Sequence, residues 1–345
     1  MKKKERGEGY SIYIDKIKKF LEEGPASIND ICKELEISWA TAKSALEEMR
    51  EKEDVKEIVT SNIRIFKLSN DPAFYGVPLT KKQKNDALFL FDAIKKEWKN
   101  NEEKKKGPLL ATTLQKIAVD VAKKCECNIP VVSFHYGLVI PVVANPYFSF
   151  TKPENSQIII TVIKKTISLH PNKYIKEIEK QYEDYGLELF QAKKKITSLL
   201  KQCNNNFNKE EVENSFSRLL LLCPIESKEV QLFSLCSDFV DKIYGLLLTD
   251  NFQDRLEDVK EAFNVLWDFI TTHLFFKEIS PYIRKEKREI FEHIKSLQIL
   301  SKKSNVEERI NYLDSLVDLT KEIKLPMDEE SIMIRRILTE GAEEE

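Results

Sequence analysis

Apolar residues recur at helical spacing along most of the chain, and the pattern is clearest near its start. Ala42, Ala45, Leu46 and Met49 follow the i, i+3, i+4, i+7 rule of one helix face, which predicts a helix over 39–52 with Ser38 as its cap. Ile31, Cys32 and Leu35 line one side of a shorter helix over 28–36, capped by Ser27. Tyr10–Leu21 is a further amphipathic segment. The period then changes. Residues 56–60 and 63–68 read as two short strands joined at Ser61-Asn62, a gap that suits a hairpin because Asn tolerates positive φ. The predicted order is helix, helix, turn, helix, hairpin.

Thr80 and Gln83 form a capping box for a helix reaching about residue 105, with Ala87, Leu88, Phe91, Ile94 and Trp98 inward. A second helix covers 110–124. Residues 128–150 are β-branched and aromatic but cut by Pro130, Gly137, Pro141 and Pro146, which predicts one or two short strands or an extended apolar segment. From 151 onward the text is helical. A long segment over 173–203 carries Gly186 as a kink, and Asn208 and Glu211 mimic a capping box for 209–222. Helices follow over 227–249 and 253–278 and from Pro281 to about 302. Ser304 and Glu307 read as the cap of another over 305–324, and a short helix over 329–339 precedes an acidic tail. The fold class is mainly α: a basic flexible arm (1–9), a domain of three helices plus a hairpin (10–70), a linker and mixed α/β middle region (71–150), and an all-α domain (151–345).

The residues I37-S38-W39-A40-T41-A42-K43-S44-A45-L46, in this order of elements, resemble the winged helix-turn-helix family. The resemblance implies contact with double-stranded DNA through the second helix of the pair, with the hairpin as a wing. On that match Ser38, Trp39, Ala40, Thr41, Lys43 and Ser44 face the groove, and Asn62 and Arg64 sit on or near the wing. T113-L114-Q115-K116-I117 and Y136-G137 resemble the Panacea-type domain of antitoxins between 110 and 142; no function is carried over from it.

Charge narrows the picture. The 345 residues carry a net −2, with residues 1–70 neutral, 71–150 at +4 and 151–345 at −6. The whole molecule therefore offers duplex DNA no general attraction, and binding must come from a local patch: Lys2, Lys3, Lys4, Arg6, Lys43, Arg64 and Lys67. A homodimer presenting two such patches fits a neutral domain better than one copy does. The acidic run Glu47, Glu48, Glu51, Glu53 and Asp54 restricts any groove contact to the start of the helix. The alternative is a protein-interaction adaptor that uses the same elements on other proteins.

Several of the six cysteines fall within apolar helical stripes, and they suggest no disulfide framework. No apolar run reaches the length of about 18 residues that a membrane span needs, so the expected location is cytoplasmic, with no membrane partner. Cys125, Cys127 and His135 lack the spacing of a zinc site, and no fourth ligand is near. His273 and His293 have no legible partner, and no phosphate loop, dinucleotide fingerprint or nucleophile elbow is present. The expectation is no enzyme, no metal and no cofactor. Phe252, Phe263, Trp267, Phe269, Phe275, Phe276 and Tyr282 exceed one narrow stripe, which fits a helix buried on two sides, a dimer interface or a pocket for a small apolar effector. Val306, Ile310, Leu313 and Val317 follow a 4-3-4 spacing that allows a short coiled-coil contact.

Overall fold

A computed structural model describes residues 8–59, 63–101, 108–143, 150–169, 174–202, 208–223, 230–249 and 252–318. These form a mainly helical fold of twelve α-helices with two small antiparallel sheets. The chain begins with α1 (Glu8–Glu22), β1 (Ala26–Ser27), α2 (Ile28–Leu35), α3 (Trp39–Glu51), β2 (Val55–Val59) and β3 (Arg64–Leu68). Helix α1 takes in the last two residues of the expected arm. Ser27 and Asp30 cap α2 reciprocally: Asp30 N–H donates to Ser27 Oγ at 3.2 Å, and Ser27 N–H donates to Asp30 Oδ2 at 2.9 Å. The strands pair in the order β1-β3-β2, with Ile58 opposite Ile65. Ile17, Leu21, Ile31, Ala45, Leu46 and Ile65 fill the space between sheet and helices, none more than 1% exposed.

Next come α4 (Lys81–Asn100), α5 (Ala111–Lys124), β4 (Val132–Phe134), β5 (Gly137–Val139) and α6 (Ser156–Leu169). The Thr80/Gln83 capping box is present, and α4 ends at Asn100, short of the expected 105. Its consecutive residues Leu88, Phe89, Leu90 and Phe91 are all buried, because the helix packs against both α5 and α6. The β4–β5 hairpin is fixed from α5. Gln115 donates through Nε2 to the Ile140 carbonyl at 3.2 Å and accepts the Ile140 N–H at 3.0 Å. Lys116, 2% exposed, donates to the carbonyl oxygens of Tyr136 at 2.6 Å and Leu138 at 3.3 Å. A buried ammonium thus satisfies one carbonyl of the two-residue turn and one of β5.

The remainder is helical: α7 (Tyr174–Asp184), α8 (Glu188–Gln202), α9 (Lys209–Leu222), α10 (Val230–Leu247), α11 (Leu256–Ile279) and α12 (Arg288–Asp318). The expected long helix over 173–203 is two helices, parted at Gly186 with φ of +61°. The expected break near Ser304 is absent; α12 is one helix, and Val306, Ile310 and Leu313 pack into the chain's own core beside α10 and α11. Those three positions of the 4-3-4 stripe are therefore consumed within the chain. The aromatic residues of α11 and its approach also face inward: Phe252, Phe263, Trp267, Phe269, Phe275 and Phe276 are at most 3% exposed. Among the described residues no helix is long and apolar enough to cross a membrane. The short helix expected over 329–339 lies outside the described residues.

One continuous buried cluster runs from Ile17 through α4, α5 and α6 to Phe276 and Phe291, so the first 70 residues rest on the body rather than stand apart. Lys81 pairs with Glu22 at 2.7 Å, and Lys287 Nζ donates to the Pro25 carbonyl at 3.3 Å. The deepest link is an ion pair. Lys84 of α4 and Asp71, just after β3, lie 3.5 Å apart with side chains 1% exposed.

Candidate nucleic-acid interface

These anchors hold the end of α1, the β1 region and the exit from β3, and they leave the start of α3 uncovered. A left-handed Glu36, φ 52°, ends α2 and turns the chain. Ser38 then caps α3 by accepting from Thr41 N–H at 3.1 Å, and the Ser38 and Thr41 hydroxyls are 2.8 Å apart. The buried face is the expected one: Ala42, Ala45, Leu46 and Met49. The opposite face is therefore turned outward. Ser38, Trp39, Ala40 and Lys43 are exposed, and Thr41 and Ser44 are half-buried.

Trp39 is 52% exposed, a large apolar ring in water, and Lys43 Nζ lies 5.2 Å from its ring centre. That contact holds the ammonium over the ring face, where the π electrons attract it. The first turn of α3 contains no acidic residue, so the partial positive charge of the helix N-terminus is not neutralised locally. The cations are not unopposed, however. Lys43 Nζ lies 3.9 Å from Glu47 Oε1. Arg64 at 3.3 Å and Arg50 at 2.7 Å both pair with Glu57, whose side chain is only 12% exposed. The charges of these five paired side chains, three cations and two carboxylates, sum to +1.

Of the sequence-predicted site residues, Ser38, Trp39, Ala40, Thr41, Lys43 and Ser44 lie together on one edge. Arg64 lies on β3 at the start of its pairing with β2, opposite Val59. Asn62 lies outside the described residues, as do Lys2, Lys3, Lys4 and Arg6. Sequence reasoning missed Arg50 and Glu57. The signal was available once a register was assumed, because the end of α3 and the middle of β2 become neighbours when the hairpin folds back.

A second group of ionisable side chains gathers around the β4–β5 turn. His135 Nε2 lies 3.2 Å from Asp268 Oδ1, and Lys302 pairs with the other carboxylate oxygen. Trp267 Nε1 donates to the His135 carbonyl at 3.0 Å. Burial pushes the imidazole pKa down; Asp268 opposes that shift, and Lys302 and Lys193 reinforce it. Asp268 is engaged by two side chains, and the arrangement ties the turn to α11 and α12. Cys125 and Cys127 lie at the end of α5, away from this pair in the chain, and among the described residues no group of three or more His, Cys, Asp or Glu could hold a metal. His273 packs edge-on to Phe269, with ring centres 4.7 Å apart, and His293 lies 4.0 Å from Glu289. A cavity of about 460 Å³ opens between α4, α5 and the hairpin, lined by Phe74, Phe91, Leu114, Phe134, Tyr136 and Val139.

No protein-family model, no curated protein and no solved structure matches the chain.

Proposed function

We propose that the chain is a non-catalytic DNA-binding regulator that docks the start of α3 in the major groove, with the β2–β3 hairpin as the wing of a winged helix. One observation carries this reading: the N-terminal edge of α3 is uncovered, and its positive end, the exposed Trp39 and Lys43 all face outward. The order α1-β1-α2-α3-β2-β3 with the sheet order β1-β3-β2 supports it, because it sets the hairpin beside that helix. Trp39 and Ala40 supply apolar contact to thymine methyl groups, and Lys43 and Arg64 meet phosphates or base edges. A homodimer spans two half-sites and raises the effective concentration of the second contact. The apolar cavity between α4, α5 and the β4–β5 hairpin is the place for a small apolar effector.

The same face favours a second reading. Its assigned cations are paired with carboxylates, and its largest exposed group is an indole; both suit a protein partner. Electrophoretic mobility shifts on genomic fragments at low salt separate the two. On the DNA reading each copy releases few counterions, so with about two to three phosphate contacts log K falls with log salt at a slope of about −2 to −3. Lys43→Glu and Arg64→Glu each lower that slope, and Trp39→Ala weakens binding by about tenfold or more. Wild-type protein that shows no salt-dependent affinity, together with a co-purifying protein lost in Trp39→Ala, defeats the DNA reading and leaves the adaptor.

A further inference from the structure

We propose that Cys223 and Cys236 form a peroxide-responsive thiol pair whose disulfide staples α9 to α10. Cys223 is the C-cap residue of α9, and Cys236 lies within α10. Their sulfurs are 3.6 Å apart, and the residues are 3% and 0% exposed. A disulfide needs a sulfur separation of about 2.05 Å, so closure asks for a movement of about 1.5 Å, within reach of side-chain rotation and a small helix shift. The neighbours are apolar, Phe216, Leu219, Leu232 and Phe239 among the buried residues of the same cluster. That lining favours a neutral product over a charged sulfinate, which would sit there without a counter-ion.

The position of Cys223 sets the order of events. It is the C-cap residue of α9, so opening of that last turn admits a small oxidant there before it reaches the middle of α10. The Cys223 thiolate attacks hydrogen peroxide; the O–O bond breaks, leaving a sulfenic acid and, after protonation, one water. The Cys236 thiolate then attacks the sulfenic sulfur; the S–O bond breaks and hydroxide leaves, taking the proton that the Cys236 thiol released to become the second water. Two thiols and one peroxide give one disulfide and two waters. In the reduced pair the hydrogen bond with Cys223, and then burial, push the Cys236 thiol well above its usual range, so mildly alkaline pH favours the reaction by raising the thiolate fraction.

The test is peroxide treatment of the full chain at mildly alkaline pH, alkylation, and non-reducing peptide mass mapping. The expected product is an intramolecular link between the peptides holding residues 223 and 236, reversed by dithiothreitol. The thermal midpoint rises by several degrees and returns on reduction, because the cross-link restricts the unfolded chain. Cys236→Ser abolishes both the link and the shift. The wild-type map decides the matter by itself should that variant fail to fold. Full alkylation of both cysteines after peroxide, sulfinic or sulfonic acid at either, or a link from either to another cysteine or another chain overturns the proposal.

Discussion

Lys84→Met removes the ammonium that meets Asp71 inside the molecule while keeping a side chain of similar length. Both side chains are 1% exposed and 3.5 Å apart, and without Lys84 the Asp71 Oδ1 keeps the Ala73 N–H at 3.1 Å, while Oδ2 accepts no hydrogen bond among the described residues. Breaking a buried pair from one side leaves the Asp71 carboxylate with only the more distant charge of Lys67 to offset it, which destabilises by up to about 3–5 kcal/mol. The pair joins the exit of β3 to α4, so the loss falls on the seam between the first 70 residues and the body. Urea denaturation followed by tryptophan fluorescence and by circular dichroism measures it. Lys84→Met combined with Asp71→Asn removes both charges and keeps an acceptor for Ala73, so it recovers most of the loss. A single variant within about 1 kcal/mol of wild type would show that the carboxylate does not depend on Lys84. A double variant no better than the single one would assign the loss to packing instead of charge.

Gly137→Ala tests the turn that Lys116 holds. Gly137 has φ of +97°, and an added Cβ would lie 3.0 Å from Tyr182 Cε1 and 3.1 Å from Lys116 Nζ. Left-handed strain alone contributes about 1–3 kcal/mol, and the contacts add to it, so unchanged stability in denaturant would refute the account of the hairpin. His273 gives the fold an acid sensitivity. Burial, and then Lys295, push its pKa down to about 4. The unfolded chain binds a proton below about pH 6.5 and the folded chain does not until about pH 4, so stability is complete above the first value and falls between them. The loss is up to about 3 kcal/mol at pH 4, and His273→Gln flattens that slope; a variant with the wild-type pH profile would exclude His273 as its source.

Features of this fold that depend on neighbours three or four residues away were legible in the chain. Ser27, Ser38, Thr80 and Asn208 stand where a helix start leaves N–H groups without partners, and each accepts the N–H three residues on. The buried face of α3 followed from spacing alone, and it placed the outward edge by elimination. Ser304 misled for the same local reason. It looks like a cap, but the burial of Val306 and Ile310 against α10 and α11 carries the helix through.

What the sequence determined by itself was the run of helices, the site of the first hairpin and the side of α3 that faces inward, because chain connectivity brings those groups together. The tertiary structure alone decided which charges meet. Lys84 finds Asp71 only when the exit of β3 packs on α4, Lys116 finds the Tyr136 carbonyl only when the turn lies on α5, and His135 finds Asp268 across 133 positions. Such pairings follow from the burial of apolar surface elsewhere, which moves distant polar groups together and leaves them no water to prefer.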